Sequence, residues 1–426
     1  MSVLKKLVPK QLVGSYHFLL AYFSALVYGF PSRRLLVVAV TGTKGKSSVS
    51  EMVNAILEEA GYRTALLNSI RFKIAGDSKP NVLRMSMPGR FFIQKFLRRA
   101  VNAGCTAAIL EMTSEGARQH RHRAIALDAL VFTNLAPEHI ESHGSYEQYA
   151  DAKFEIGRAL ERSRKRSKIV VANADDPRSA RYLGLHIEKK AGFSLSEHEH
   201  LASARGGHFV FDDTHISIRL PGDFSLKNAL AAATLGQVLN IPTTTIQRAL
   251  GGIERIPGRA ERIEAGQEFT VVVDYAHTPD SLRALYEAYS IPAGSTKPTT
   301  GSFGIKRRLI CVLGNTGGGR DTWKRPVMGK IADEYCADVI LTNEDPYDED
   351  PRTIIEQMTR DMEHAPTIIM DRREAIREAL ERARPTDAVL ITGKGTDPCI
   401  CVENGKKIPW SDAQVAQEEL ARLRQV

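Results

Sequence analysis

Between Val38 and Ser48 the chain reads VAVTGTKGKSS, an apolar strand-like run that ends in a glycine-rich turn and opens a helical pattern. Residues of these types at this spacing suit the binding of phosphate. Gly42 and Gly45 let backbone N–H groups close around phosphate oxygens, and the N-terminus of the following helix favours negative charge. Lys46 is placed to reach β/γ-phosphates, and the Ser47 hydroxyl is a ligand type for Mg²⁺. The usual loop of this kind has a further glycine five positions before Gly45, where this chain has Val40. The loop is therefore a shortened variant.

Such a loop works only if a strand delivers it and a helix follows. The run LLVVAV (35–40) supplies the strand and Ser48–Ala60 the helix. The same alternation continues through short β-branched runs at 107–110, 129–132, 168–173, 269–275, 309–313, 338–342, 366–370 and 388–392. These read as buried parallel strands. Helical patterns separate them at Phe91–Ala103, Tyr146–Leu160, Leu226–Leu239 and Pro279–Tyr289. Strand–helix alternation predicts doubly wound α/β domains. Gly207–Leu220 alternates instead like an antiparallel hairpin, and Ser290–Lys306 reads as a Gly/Ser/Thr/Pro-rich loop. The predicted organisation is an N-terminal helical segment over 1–34, an ATP-binding domain over 35–257 and a second α/β domain over 258–426.

The chain has 426 residues, with 58 Lys+Arg against 50 Asp+Glu. That length gives two or three domains with ample core, and the composition excludes a disordered or collagenous chain. Of the net charge of +8, residues 1–36 hold +5 through Lys5, Lys6, Lys10, Arg33 and Arg34, with no acid among them. The remainder is close to balanced, so the charge does not indicate nucleic acid. Within the basic segment, Leu12–Phe30 carries no formal charge. Three readings stand open: a helix packed on the protein's own body, an interfacial membrane helix, or a span. The five cysteines are scattered and form no CxxC pair, so reduced thiols are expected. The histidine-rich patches Gln119–Arg123 and Glu197–His200 lack i,i+4 ligand geometry and are expected at the exposed surface.

The phosphate loop and a series of further motifs resemble the Mur ligase family, the ATP-dependent amide-bond-forming enzymes of peptidoglycan precursor synthesis. Within it they look most like the branch that adds the third peptide residue. Ala39–Ser48 resembles the family's A-x-x-G-T-x-G-K-[ST]-[ST], shortened in the same way. Glu111-Met112-Thr113-Ser114 and Thr133-Asn134-Leu135-Ala136-Pro137-Glu138-His139 follow in family order, then Ala152-Lys153, Asn173–Pro177 and Asn228–Ala232. Beyond these come Pro257-Gly258-Arg259, Asp274–Leu282, Gly317–Asp321, Lys324-Arg325-Pro326 and Gly393-Lys394-Gly395. The fold this implies is a central P-loop-type ATPase domain plus a C-terminal Rossmann-like α/β domain.

The resemblance assigns Gly42, Thr43, Lys44, Gly45, Lys46, Ser47 and Ser48 to ATP and Mg²⁺. It assigns Glu111 and His139 to a second metal, with Lys153 as a carbamylated lysine that helps organise it. Asn228 would contact adenine, and Arg259, Asp274, His277 and Lys324 would close the nucleotide site. Ser86, Met87, Asp345, Tyr347, Gly393 and Asp397 fall on substrate-binding positions. The implied reaction passes through an acyl phosphate, which an incoming amino acid's amine then attacks.

Three departures shape the expectations. Only residues 1–36 precede the phosphate loop, too few for the family's UDP-binding domain, so the acceptor is expected to lack UDP or to be held by another protein. Docking of the apolar basic helix near a lipid-linked muropeptide is one way to supply it. The family's D-N-P-R becomes Glu344-Asp345-Pro346-Tyr347, and the neighbouring acids Asp348, Glu349 and Asp350 suggest a cationic amino acid such as lysine or ornithine. The T-T-P substrate loop reads Ser86-Met87-Pro88. The expected enzyme is a cytoplasmic monomer, peripheral at the inner face of the membrane, acting on a muropeptide-type acceptor and an amino acid. The rival readings are the same chemistry on a folate or poly-γ-glutamate acceptor, and a non-catalytic nucleotide-binding partner subunit.

Overall fold

The computed structural model describes residues 10–138, 140–290 and 307–424. His139 and most of the Ser290–Lys306 loop lie outside the described residues. The chain divides into two compact units. The first takes the described residues up to His198 together with Val210–Ile216 and Lys227–Gly252. The second takes Glu199–Phe209, Ser217–Leu226 and the described residues from Ile253 onward.

The chain begins with helix α1 (Lys10–Val27), which stops where Gly29 and Phe30 adopt left-handed backbone, φ 64° and 49°. Arg98 secures that end by donating to the carbonyls of Tyr28 (2.8 Å) and Gly29 (3.0 Å). There follow β1 (Leu36–Thr41), α2 (Lys46–Glu59), β2 (Thr64–Leu67), β3 (Arg71–Ile74), β4 (Asp77–Pro80), α3 (Arg90–Asn102) and β5 (Ala107–Glu111). Next come α4 (Ser114–Arg118), β6 (Ala129–Phe132), α5 (Ile140–His143), α6 (Tyr146–Glu161), β7 (Ile169–Asn173), α7 (Ser179–Leu183) and β8 (Lys189–Phe193). Among the described residues these strands form one sheet in the order β4-β3-β2-β5-β1-β6-β7-β8. From β2 to β8 the pairing is parallel, and β3 and β4 extend it antiparallel. The strands β5, β1, β6 and β7 are buried on both faces, which is why their sequences are continuous apolar runs.

The order reverses at β1. The chain moves from β1 to β2 on one side, returns through β5, and crosses to β6 on the other. In open parallel sheets the crevice at such a reversal, at the carboxyl ends of the strands, is where ligands bind. The Gly42–Lys46 loop leaves β1 at that place, flanked by Glu111 at the end of β5 and Thr133 just beyond β6.

A three-stranded sheet of β9 (His200–Ser203), β10 (Gly206–Phe211) and β11 (Thr214–Ile218) follows. The expected hairpin lies here, turned by Asp212 and Asp213 at φ 50° and 55°. Helices α8 (Gly222–Val238) and α9 (Thr243–Gly251) come next.

The second unit continues with β12 (Glu261–Ile263), β13 (Thr270–Asp274), α10 (Pro279–Ser290), β14 (Leu309–Leu313), α11 (Lys324–Tyr335), β15 (Asp338–Leu341) and α12 (Pro351–Thr359). It ends with β16 (Thr367–Ile368), α13 (Arg372–Arg382), β17 (Ala388–Thr392), β18 (Cys399–Cys401), β19 (Lys407–Pro409) and α14 (Asp412–Leu423). Its main sheet has the order β12-β13-β17-β14-β15-β16, with an apolar core on each face. Side-chain caps from Asp350, Asp371 and Ser411 start α12, α13 and α14.

Two expectations are corrected here. Cys311 on β14 and Cys336 at the end of α11 form a disulfide, with Cα atoms 6.1 Å apart. A separation of 25 residues hides the pair in sequence, and the strand–helix packing brings it together. Cys105, Cys399 and Cys401 are free and buried. The patch Gln119–Arg123 is also not simply exposed surface. His122 is fully buried, both ring nitrogens lack a hydrogen-bond partner, and burial pushes its pKa down to about 3.

Titration of thiols in denaturant is expected to find three without reductant and five after reduction. For His122, the folded pKa lies below the unfolded value of 6.5, so the unfolded state binds the extra proton. Wild type should therefore lose stability relative to His122→Leu as pH falls from 6.5 toward 3, by up to about 1.4 kcal/mol per pH unit. Urea denaturation across that range measures it.

Candidate active site

The phosphate loop is built from backbone geometry. Gly42 has φ 148° and Gly45 φ 80°. A Cβ at Gly42 would overlap Thr133 Oγ1, and one at Gly45 would overlap Asn228 Oδ1. Both glycines therefore stand where chain and neighbour approach too closely for a side chain. Gly45 is the N-cap of α2, so Lys46, Ser47 and Ser48 form the first turn of that helix. The loop is clamped from the β6 side: Thr43 N–H donates to Asn134 O (2.9 Å), and Lys44 N–H to Asn134 Oδ1 (2.8 Å). Thr133 Oγ1 donates to Lys44 O at 2.6 Å.

Glu111, delivered by β5, is the hub. Its Oε2 accepts from Ser47 Oγ (2.9 Å) and from Ser69 N–H (3.0 Å), while its Oε1 accepts from Ser86 Oγ (2.7 Å). Ser69 Oγ lies 2.7 Å from Ser47 Oγ. The carboxylate thus joins the phosphate loop to the Ser86-Met87-Pro88 segment. Met87 itself is buried in the core of this unit, its sulfur accepting from Thr113 N–H at 3.2 Å.

Three lysines converge on the same loop. Lys44 pairs with Glu138 at 2.9 Å, and Lys46 Nζ donates to Thr43 O at 2.8 Å. Lys153, from α6, is buried; its Nζ donates to Gly42 O at 2.6 Å and lies 4.8 Å from the centre of the Tyr149 ring. Burial drives the Lys153 pKa well below its ordinary value. The positive charges of Lys46 and Lys44 add to that, and Glu138 and Glu111 oppose it. Tyr149, also buried, sits 2.9 Å from Thr43 Oγ1 through its hydroxyl.

The second unit holds two further groups, described by themselves. In the first, Asp274 at the end of β13 accepts from the N–H groups of Ala260 and Ala276, both at 2.6 Å. Arg259 lies over the Tyr275 ring at 4.6 Å, and Lys324 Nζ donates to His277 O at 3.0 Å. Arg259, Asp274, His277 and Lys324 are thereby brought together. In the second, Asp345 accepts from Lys394 Nζ (2.8 Å) and from Cys401 N–H (2.7 Å), and Lys394 also reaches Asp397 at 3.5 Å. Gly393, at φ 107°, passes so close to Glu344 Oε2 that a Cβ would overlap it. Arg320 stacks over Tyr347 at 4.8 Å.

The acidic run around Tyr347 is not the free anionic patch expected from sequence. Asp345 is spent on Lys394, Glu349 on the buried Arg325 (2.5 Å), and Asp350 on capping α12. Asp348 accepts from Asn404 N–H at 2.7 Å. Burial raises the pKa of Glu344, which favours its neutral form. Two of the acids, Asp345 and Glu349, are thus paired with buried cations, while Asp348 and Asp350 stay exposed and accept only from neutral donors, so the run offers a cationic amino acid less free charge than its sequence suggests.

The Mur ligase middle-domain model matches residues 40–236, and the Mur ligase glutamate-ligase-domain model matches residues 258–395. A UDP-N-acetylmuramyl-tripeptide synthetase of Roseiflexus sp. (strain RS-1) is 36% identical over 98% of this chain and 84% of its own length. The chain belongs to the Mur ligase family. A UDP-N-acetylmuramoyl-L-alanyl-D-glutamate–2,6-diaminopimelate ligase of Syntrophomonas wolfei is 33% identical over 94% of this chain and 81% of its own. Among solved structures, a ligase described by the same activity superposes with a TM-score of 0.60 at 26% identity, over 92% of this chain and 79% of its own. A folylpolyglutamate synthase of Mycobacterium tuberculosis superposes with a TM-score of 0.69 at 17% identity, over 88% of this chain and 92% of its own; it shares the fold.

In this Mur ligase, several partners of the site carry no recognisable motif of their own. Ser69 follows β2 with no motif around it, and its place beside Ser47 comes from sheet order alone. Tyr149 lies one helical turn before Lys153, a spacing that places both on one face of α6 and was the available signal. Asn228, expected at adenine, lies against Gly45.

Gly45→Ala forces a Cβ into Asn228 Oδ1 at a backbone angle that favours glycine. Calorimetric titration is expected to show ATP binding weakened by at least about tenfold, the equivalent of about 1.4 kcal/mol, with the thermal transition of the fold retained.

Proposed function

We propose that this Mur ligase uses ATP to add an amino acid to a muropeptide-type acceptor through an acyl-phosphate intermediate, as a step of peptidoglycan precursor synthesis in the cytoplasm. The observation that carries the reading is the Glu111 carboxylate, which bonds at once to Ser47 of the phosphate loop and to Ser86 of the acceptor segment. One side chain thus ties the place for a γ-phosphate to the place for the carboxylate that attacks it.

On this reading the acceptor carboxylate attacks the γ-phosphorus, ADP leaves, and the acyl phosphate forms. Lys46 and the N-terminus of α2 offset the charge gathering on the transferred group. The amine of the amino acid then attacks the acyl carbon, and phosphate departs through a tetrahedral intermediate. The donor set around Ser47 and Glu111 is all oxygen, which suits Mg²⁺. Ser47 and Glu111 would hold it, and the ion when bound supplies further charge neutralisation at the phosphates. His139 and Lys153 are proposed to complete the second metal site. Only a neutral amine adds CO₂ to give a carbamate and a proton, and the depressed pKa of Lys153 supports that form. From the second unit we assign Arg259, Asp274, His277 and Lys324 to the nucleotide, and Asp345, Tyr347, Gly393 and Asp397 to the amino acid. Arg320, stacked on Tyr347, adds a guanidinium near these residues. An amino acid that carries a side-chain carboxylate therefore belongs beside lysine and ornithine in any substrate panel.

The test is phosphate release from ATP, with mass spectrometry of the products, using a muropeptide extract and a panel of single amino acids. Amino-acid-dependent release with a product heavier by one residue is expected, and Lys46→Ala and Glu111→Ala should each lower it at least about a hundredfold. Release that depended on a folate acceptor, or no amino-acid-dependent release across the panel, would sink the proposal.

A further inference from the structure

Helix α1 is packed inside out. Its small residues face the protein: Ala21 is 1% exposed, and Ser24 and Ala25 are 0% exposed. Its large apolar residues face outward, with Leu19 67% and Leu26 64% exposed and Tyr16 and Phe23 beside them. The positions 16, 19, 23 and 26 fall on one helical face. A surface helix of a water-soluble domain does the reverse, turning its large apolar stripe toward the core. Helices that meet each other through small residues and turn bulk outward are those whose outer face meets lipid.

The outward face continues onto neighbouring segments of the same unit. Phe23 meets Phe91 of α3 edge to face, ring centres 6.1 Å apart. Phe92 is exposed on the same helix, and Val82, Leu83 and Met85 are exposed on the segment before it. Of the exposed large apolar residues among those described, most fall in these two stretches, so the exposed apolar surface is concentrated there and is not scattered.

The segments that carry the patch hold charge of one sign. The first acid in the chain is Glu51, and none occurs from Ser78 to Leu110. Arg33 and Arg34 are exposed just after α1, and Lys95 and Arg99 are exposed on the face of α3 that carries Phe92. A large exposed apolar face carried by segments whose own charges are cationic matches a bilayer with anionic headgroups: the side chains enter the headgroup–acyl boundary while the cations meet phosphate. No described helix is long and apolar enough to cross a membrane, so the helix would lie along the surface. From Tyr16 to Val27, α1 presents about 18 Å of such a face.

We infer that the outer face of α1, with Val82–Met85 and Phe91–Phe92, docks this enzyme on an anionic lipid surface. The patch runs directly into the reaction site, because the segment bearing Val82, Leu83 and Met85 continues into Ser86, whose hydroxyl bonds Glu111. Docking would therefore hold the acceptor segment beside the bilayer. That consequence rests on the ligase reading above, whereas the docking itself does not.

The test is co-sedimentation of the full chain with phosphatidylglycerol–phosphatidylcholine vesicles, beside vesicles of phosphatidylcholine alone. The triple variant Leu19→Glu/Phe23→Glu/Leu26→Glu changes only exposed side chains, and circular dichroism and ATP binding verify its fold. The full chain is expected to sediment with the anionic vesicles, less so at high salt, and the triple variant at least about tenfold more weakly. Lys95→Ser/Arg99→Ser should lower the salt-sensitive part alone. Equal sedimentation of wild type and triple variant, or equal binding to both vesicle types, would overturn the inference. So would a chain that ignores vesicles but forms a dimer that the triple variant abolishes, since the occupant of the face would then be a second copy. Vesicle binding without turnover would instead leave the docking standing and count against the ligase reading.

Discussion

Three lysines meet at one turn of backbone, and the way their charges are settled governs the phosphate loop. Lys44, Lys46 and Lys153 converge on Gly42–Lys46, where like charges in a water-poor setting repel strongly. The fold answers each differently. Lys44 is paired with Glu138, Lys46 is held against the Thr43 carbonyl, and Lys153 is driven toward its neutral form by burial. Glu111 adds negative charge from the end of β5 and is held by three hydrogen-bond donors. The loop therefore keeps Lys46 and Lys44 charged and balanced by two carboxylates, while burial favours the neutral form of the third lysine.

The second unit shows the same economy with the opposite sign. In a run of acids that looks like a docking patch in sequence, Asp345 and Glu349 are paired with the buried cations Lys394 and Arg325, and only Asp348 and Asp350 stay exposed. Buried ions need partners, because an isolated charge in a protein interior costs several kcal/mol. What the fold leaves beside this run is Arg320 stacked on Tyr347 and the close approach of Gly393 to Glu344. Counting charges along a chain overestimates what a site can offer a ligand whenever the same fold needs those charges internally.

Much of the site was legible because its chemistry is local in sequence. The loop Gly42–Ser48 needs two glycines, a lysine and a hydroxyl within seven residues, and the strands around it are continuous apolar runs because both their faces are covered. What stayed hidden depends on distant segments meeting. Ser69 reaches Ser47 only because β2 lies beside β5. Cys311 finds Cys336 only through the packing of a strand and a helix, and His122, in a run of polar residues, is buried by tertiary contacts. Met87, in a segment assigned to substrate, turns out to anchor that segment in the core, while Ser86 faces the site.

By itself the sequence determined the family, the alternation of strand and helix, and the residue types of the phosphate loop, since each is written in short-range spacing and burial period. It also determined that the N-terminal segment is apolar and flanked by cations. Which way that segment faces was decided by tertiary structure alone. A helix with apolar residues around much of its circumference can bury either its large or its small side, and sequence periodicity does not choose between them. Packing α1 through Ala21, Ser24 and Ala25 left Leu19, Phe23 and Leu26 outside. The same kind of choice set the state of Lys153: a helix lysine is ordinarily solvated, and only enclosure beside two other lysines lowers its pKa.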